Sequence, residues 1–168
     1  MKNKTITTIT TMNDLSAKTR AFSVDALNQA LADMSDLYSQ TKQAHWNVRG
    51  PAFHMLHKLF DEVAEMVGEP VDDIAERVVQ LGGIAQGTVR MAAKNSEMPE
   101  FEVSDKAAAA DPLAFAKVLA ERYAACAKSV REKVDSTAAA GDANTADLLT
   151  GVSRALDKAL WFIEAHMR

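Results

Sequence analysis

Residues 52–81 decide the fold, and they read AFHMLHKLFDEVAEMVGEPVDDIAERVVQL. This stretch predicts one long helix that stops at Gly82-Gly83, because glycine commonly follows the last residue of a helix. Gly68 and Pro70 lie inside it, and proline removes a backbone hydrogen bond and favours a kink. Since polar positions resume on the same face after Pro70, we expect a kink; a full break is the alternative.

Two pairs of metal-binding side chains lie along this helix. His57 and Asp61 are four residues apart, as are Asp72 and Glu76, so each pair can share one metal ion. At roughly 1.5 Å per residue, His57 and Asp72 are about 22 Å apart, too far for a single site. All four side chains fall within about 100° of one helical face. A two-fold-related copy would bring the pairs together, with His45 as a fifth ligand, so the spacing predicts a site made by dimerisation.

Three further long helices are predicted. The first starts after Ser23 as N-cap and the third after Asp111-Pro112, while the connection 84–110 holds a short helix around 87–94. Apolar positions recur at helical spacing in the first, third and fourth helices: Leu27, Leu31, Met34, Tyr38, Thr41 and Ala44; Phe115, Leu119, Tyr123, Cys126 and Val130; Leu149, Val152, Leu156 and Ile163. Four helices with one long middle connection predict an all-α four-helix bundle.

Composition agrees with this class. The 168 residues suit one domain with a sizeable core, and the aromatic content of 6% with few Gly and Pro favours helices. Cys126 is the single cysteine, so an internal disulfide is excluded and a reducing compartment is expected. The sequence has no apolar run of membrane-spanning or signal-peptide length. We therefore expect a cytoplasmic protein that does not contact membranes.

The N-terminal segment differs from the rest. Residues 1–20 lack helical periodicity, which predicts a flexible arm ahead of a bundle formed by residues 21–168; the Thr/Ile alternation would form a short strand if the arm docked on a neighbour. The segment has one acidic side chain, Asp14, and four basic ones: Lys2, Lys4, Lys18 and Arg20. The whole chain carries a net charge of −4, so residues outside this segment lack the positive charge of a nucleic-acid-binding surface. Several arms together could still bind DNA non-specifically, whereas an arm folded back would not.

The donor set narrows the choice of metal. Two imidazoles and three carboxylates suit iron, with manganese or zinc as substitutes. A structural zinc site more often uses cysteine. No Glu is followed by His three residues later, which excludes the Glu-x-x-His motif of a di-iron site within one bundle. Taken singly, each ligand could be a hydrogen-bonded core histidine or a solvated carboxylate; their joint spacing favours the metal site.

Two motifs carry a resemblance to a known family. The run HWNVRG at 45–50, with His57 and Asp61 after it, is similar to the first signature of the Dps family, the DNA-binding proteins from starved cells or mini-ferritins. The run VDDIAER at 71–77, followed by Leu81-Gly82-Gly83, resembles the second signature. Together with the pattern near the C-terminus, the resemblance covers roughly residues 23–166.

The resemblance implies a fold and an activity. Dps proteins are hollow dodecamers of ferritin-like four-helix subunits that act as ferroxidases, oxidise Fe(II), preferably with hydrogen peroxide, and store the Fe(III) as mineral. Two irons bind at each intersubunit site, which protects the cell and its DNA from oxidative damage. Carried over by position, His45, His57 and Asp61 would come from one subunit and Asp72 and Glu76 from its two-fold mate. Glu76 would be a ligand of the tight site, with Asp61 beside it or bridging to it.

Other residues have a functional and an ordinary interpretation. Trp46 resembles a family tryptophan that supplies an electron, but core packing would explain it equally well. Asp147 and Asp157 resemble an acidic iron-entry pore, or are a helix cap and a surface residue. Trp161 is expected to be structural. The remaining histidines, His54 and His166, are expected on the surface.

Two alternatives to the iron cage stay open at this point. The first is a nucleoid-compacting DNA-binding structural protein with an incidental metal site, which would place the protein on the nucleoid. The second is a zinc- or manganese-binding assembly with little redox activity.

Overall fold

The computed structural model describes residues 9–168, so Lys2 and Lys4 lie outside the described residues. Six helices make up most of this range: α1 (Ala17–Asn47), α2 (Phe53–Gln80), α3 (Val89–Asn95), α4 (Asp105–Ala110), α5 (Ala114–Ala139) and α6 (Ala143–Ala165). Residues 9–168 contain no β-strand. Within the same range, no helix is both long enough and apolar enough to cross a membrane.

The four long helices form the predicted bundle. Helix α1 packs on α2 and α5, and α6 closes the bundle by packing on the same two helices. The predicted apolar stripes supply the core: Leu27, Leu31, Met34, Tyr123, Cys126, Leu149, Leu156 and Ile163 are at most 1% exposed. Burial of these faces is the main force that holds the helices together. The all-α four-helix prediction is confirmed.

Helix α1 begins earlier than its sequence suggested. Its N-cap is Ser16, whose Oγ accepts a hydrogen bond from the Thr19 N–H (3.1 Å). The prediction of a cap at Ser23 is wrong, because that serine lies on the buried face of the helix. Lys18 and Arg20 therefore belong to the helix and not to an arm. The Arg20 guanidinium donates to the carbonyls of Asn13 (3.2 Å) and Leu15 (2.5 Å), which ties the preceding segment to α1.

Helix α2 continues without interruption through Gly68 and Pro70, so a full break is excluded. Tyr38 packs closely over Gly68, where a Cβ would stand 3.2 Å from Cε2 of the tyrosine, tighter than ordinary van der Waals contact. Tyr38 itself is 41% exposed and covers this point of α2, although the sequence placed it in the core stripe. The helix ends before Gly82, which has a φ of +81° that favours glycine.

The connection between α2 and α5 holds two short helices, where the sequence indicated only the first. Thr88 caps α3, and Ser104 caps α4 by accepting the Ala107 N–H (3.1 Å). Helix α5 begins at Ala114, two residues after the predicted start, because Asp111 forms a turn. Its carboxylate accepts the Leu113 N–H (2.9 Å), so Asp111 caps the turn and not the helix.

Polar side chains of α1 hold this connection across the bundle. Gln29 donates to the Asn95 carbonyl (2.9 Å), and Gln40 donates to the Pro99 carbonyl (3.0 Å). Between them, the buried Asp33 carboxylate accepts the Glu97 N–H (2.9 Å). These bonds satisfy backbone groups that a loop would otherwise leave unpaired, and they fix α3 beside α1.

Candidate metal centre

His45 and His57 face each other where α1 and α2 meet. His45 lies in the last turn of α1, and His57 lies in the second turn of α2. Their rings stack with centroids 3.8 Å apart and planes inclined by 22°. Phe53 contacts the outer side of the pair, with its ring centroid 5.0 Å from that of His57. The helix junction therefore holds both imidazoles in one place.

Reciprocal hydrogen bonds fix the tautomer of both rings. The His45 Nδ1 lies 2.8 Å from the His57 carbonyl oxygen, and the His57 Nδ1 lies 2.9 Å from the His45 carbonyl oxygen. A carbonyl oxygen can only accept, so each Nδ1 carries the proton. An imidazole with this tautomer keeps its lone pair on Nε2, the atom through which it can bind a metal.

Asp61 adds a carboxylate to the two imidazoles. It lies one turn after His57 on α2, and its Oδ1 is 3.9 Å from the His45 Nδ1. Lys42 of α1 donates to the same oxygen at 2.5 Å. This hydrogen bond lowers the pKa of Asp61 below its ordinary value, so the group is ionised at neutral pH. A charged carboxylate and two imidazoles are donor types that suit a divalent cation.

Asp72 and Glu76 are placed apart from this group. Both are exposed on α2, about three to four helical turns beyond Asp61 by the rise of a continuous helix. Across residues 9–168, no three His, Cys, Asp or Glu side chains converge closely enough to hold a metal ion. One subunit thus presents two incomplete donor groups, one where α1 and α2 meet and the other further along α2.

A cavity of about 870 Å³ runs between α1, α2 and α3 beside these groups. Its lining combines apolar and charged side chains, including Tyr38, Lys42, Trp46, Glu65 and Glu69. Trp46 is 67% exposed, so core packing does not explain this residue.

Comparisons with known proteins agree with this architecture. A family model for the ferritin-like domain matches residues 24–168. The DNA protection during starvation protein of Agrobacterium fabrum is 40% identical over 158 residues, which cover 94% of this chain and 95% of that protein. The chain belongs to the Dps family.

Solved Dps structures share the fold over nearly the whole chain. DpsA14 from Streptomyces coelicolor superposes with a TM-score of 0.87 at 30% identity, covering 96% of this chain and 94% of the other. DpsC from the same organism gives 0.86 at 30% identity, covering 100% of this chain and 96% of the other. The resemblance to the Dps signatures is therefore confirmed at the level of the family.

The remaining predicted residues of this Dps-family chain lie outside the imidazole group. Asp147 is exposed on α6, and Asp157 is hydrogen-bonded to Arg131 (2.8 Å); their role in a pore stays a prediction. Trp161 is 58% exposed and so lies outside the core of the subunit; its structural role stays a prediction. His54 is exposed as expected, whereas the His166 Nδ1 is hydrogen-bonded to the Phe162 carbonyl (2.7 Å).

Sequence reasoning missed Lys42. It lies three residues before His45, so it shares that ligand's face of α1, but lysines are common on helix surfaces and its spacing alone did not single it out. Cys126 is correctly left out of the site, because it is buried in the core and burial raises the pKa of its thiol to about 12.

Proposed function

We propose that this chain is a ferroxidase and iron-storage protein whose metal centre is completed between two copies. The observation that carries the proposal is the stacked pair of imidazoles, each with Nδ1 on a carbonyl oxygen and Nε2 left for a metal, with the Asp61 Oδ1 3.9 Å from the His45 Nδ1. Two histidines and one carboxylate leave coordination positions open, and iron in such a set stays available for redox chemistry. Zinc and manganese are substitutes that the same donors would bind.

The continuous helix α2 supports completion by a second copy. Because α2 does not break at Pro70, the estimated separation of about 22 Å between its donor pairs stands. An antiparallel copy about a two-fold axis pairs residue 57 with 76 and residue 61 with 72. Each dimer then has two equivalent sites, with His45, His57 and Asp61 from one copy and Asp72 and Glu76 from the other.

The chemistry follows from two Fe(II) ions as substrates held side by side. Each gives one electron to hydrogen peroxide, the preferred oxidant, so two Fe(II), one peroxide and two protons yield two Fe(III) and two waters. A pair of one-electron donors avoids the release of hydroxyl radical. The chain supplies oriented ligands and negative charge for the cations. The exposed Trp46, which follows His45 in the sequence, would give one electron to a radical oxidant formed in a side reaction and would itself be oxidised.

Storage and protection follow from assembly. Two-fold dimers that assemble into a hollow cage, a dodecamer in our proposal, would hold the Fe(III) mineral inside, with entry past Asp147 and Asp157. The Agrobacterium relative is named for DNA protection during starvation. We extend that role to this chain through removal of iron and peroxide in the cytoplasm.

A second candidate function is non-specific DNA binding through the N-terminus. Lys2, Lys4 and the exposed Lys18 favour it. Two features oppose it: Arg20 is engaged by the chain's own carbonyls, and the Ile9 N–H donates to the Gly82 carbonyl (3.3 Å), which docks the segment on the bundle. DNA compaction is therefore the weaker proposal.

Iron oxidation by Asp61→Ala and Glu76→Ala variants tests the proposed function. Anaerobic protein is mixed with Fe(II) and then with substoichiometric peroxide, while ferric absorbance is followed. Each variant should oxidise iron at least about tenfold more slowly than wild type, because each lacks a ligand of every site. Assembly size, measured in solution, should stay unchanged.

Co-assembly of the two variants adds a sharper readout. If the site is shared, a mixed two-fold pair contains one intact site and one site lacking both ligands, so random mixing restores about a quarter of the wild-type sites. A site within one subunit would regain nothing on mixing. Wild-type rates in both separate variants would overturn the ligand assignment.

A further inference from the structure

The connection after α2 is held to the bundle more by hydrogen bonds than by apolar packing. Among residues 84–100, which we call the strap, only Ala92 is buried. Ala85 and Met98 pack against the core with part of their surface, and Val89 of α3 is 85% exposed. Apolar burial therefore stabilises the strap far less than it stabilises the four long helices.

Five polar side chains of α1 make the hydrogen bonds to the strap. Four of them recur every three or four residues and so lie on one face of the helix, and the fifth adjoins the first: Gln29, Asp33, Asp36, Gln40 and Asn28. Asn28 holds the first end of the strap, since it donates to the Ile84 carbonyl (3.1 Å) and accepts the Gln86 N–H (2.9 Å). Towards the other end, the Asp36 carboxylate accepts the Ser96 hydroxyl (2.7 Å). Each of these bonds contributes modestly, because water competes for the same groups when the strap leaves α1.

Empty space lies on the other side of α3. Helix α3 packs on α1, and the cavity of about 870 Å³ lies between α3 and α2. Val89 and Ala93 line it from α3, and Gly68 and Val71 line it from α2. The strap can therefore leave α1 without disturbing the contacts that the four long helices make with one another.

The buried Asp33 carboxylate makes the position of the strap on α1 costly. Asp33 is 1% exposed, its carboxylate accepts the Glu97 N–H (2.9 Å), and the Lys133 ammonium nitrogen of α5 lies 3.8 Å away. Burial raises the pKa of Asp33 despite this hydrogen bond and this cation. Departure of the strap would let water reach the carboxylate and remove part of the cost of burying its charge.

We propose that the strap opens from α1 as one cooperative unit while the four-helix bundle stays folded. Opening removes the α3 wall of the cavity and gives small solutes access to its α2 wall, including Glu65 and Glu69. The strap thereby controls access to the cavity. This inference goes beyond the proposed function, because it concerns a motion of the subunit that requires no metal.

Amide hydrogen exchange of the assembled, metal-free protein tests this proposal, with mass spectrometry resolving single residues. The N–H groups of Gln86 and Glu97 lie near opposite ends of the strap and are bonded to different side chains of α1. Because one opening frees both groups, we expect equal protection factors for them. Both groups should exchange at least about a hundredfold faster than the buried Val130 of α5.

Variants at the two ends of the strap test whether it opens as one unit. Asn28→Ala removes both hydrogen bonds at the first end and should accelerate exchange of the distant Glu97 by about tenfold, with Val130 within about twofold of wild type. Ser96→Ala removes the bond to Asp36 and should accelerate the distant Gln86 in the same way. Since Ser96 belongs to the strap and not to the bundle, its variant decides the question if Asn28→Ala does not fold.

Asn47→Ala is the matched control, because the Asn47 side chain lies on α1 and donates to the Gln43 carbonyl of the same helix (2.8 Å). It should leave exchange at both ends of the strap as in wild type. Acceleration confined to the altered end would show independent contacts and would overturn the proposal. Exchange of Gln86 and Glu97 as slow as that of Val130 would also overturn it, since the strap would then open only when the bundle unfolds.

Discussion

At the scale of single residues, the backbone of one ligand orients the side chain of the other. His45 and His57 exchange Nδ1–carbonyl hydrogen bonds, so neither ring depends on a separate carboxylate to set its tautomer. This arrangement was not accessible from the sequence. Spacing predicted that His57 and Asp61 share a face, because that follows from one helix, but the contact with His45 depends on how α1 and α2 pack.

A buried ion pair shows how strongly single residues hold the bundle. Arg77 of α2 donates to Asp142 (2.9 Å) and to Thr145 Oγ1 (3.0 Å), which joins α2 to the N-terminus of α6. The Asp142 side chain is 1% exposed. Burial raises the pKa of Asp142, but hydrogen bonds from Thr145 and the charge of Arg77 outweigh it, so the net pKa lies below its ordinary value of 3.8.

Arg77→Met should lower the free energy of unfolding at pH 7 by about 3–5 kcal/mol, because it leaves the Asp142 carboxylate buried without its cation. A carboxyl whose folded pKa is lowered stabilises the protein above the unfolded value of 3.8, and this stability is lost as the pH falls through the folded value. The difference between variant and wild type should therefore narrow below about pH 4. Denaturant titrations of wild type and variant, at pH 7 and below about pH 4, measure this difference in the free energy of unfolding.

The control for this prediction is Arg131→Met. Arg131 and Asp157 form an ion pair in which both side chains are about half exposed. Its removal should therefore lower the free energy of unfolding by less than about 1 kcal/mol. Equal losses in the two variants at pH 7 would contradict the account of the buried pair.

At the scale of elements, the long helices were predictable and their ends were less so. Helix α2 was placed within one residue at each end, since glycines follow it and its apolar face is continuous. Ser16 and Ser23 are equally good caps in sequence, and only burial of Ser23 in the bundle separates them. The six residues of α4 are too few to show a period, and Asp111 caps a turn as well as it would cap a helix.

The segment before α1 docks where α2 ends. A Cβ at Gly82 would stand 2.7 Å from the Ile9 carbonyl oxygen, and Gly82 has a φ of +81°. Gly82→Ala should therefore release the segment, and amide exchange of Ile9 should accelerate by about tenfold or more. If docking is what limits DNA binding, the variant should also retard DNA at low salt in a gel, and removal of residues 1–8 should abolish the effect.

Gly151→Ala is the matched control for this prediction, because nothing lies within 4 Å of a Cβ at that position on α6. It should leave both exchange and DNA mobility as in wild type. Unchanged exchange at Ile9 in Gly82→Ala would show that the segment is not held at this turn.

At the scale of the whole molecule, we propose that each subunit carries two complementary halves of a metal centre. The imidazole–carboxylate group lies near the start of α2, and Asp72 and Glu76 lie towards its end. Tyr38 and Trp46, both exposed, line the cavity between α1, α2 and α3.

Anomalous diffraction at the iron edge, from crystals soaked anaerobically in ferrous salt, tests the central claim most directly. We predict iron within about 2.0–2.3 Å of an imidazole Nε2 from one subunit and of Glu76 from its two-fold mate, with Asp61 beside it. Iron coordinated wholly by one subunit, or remote from the two-fold axis, would contradict the account.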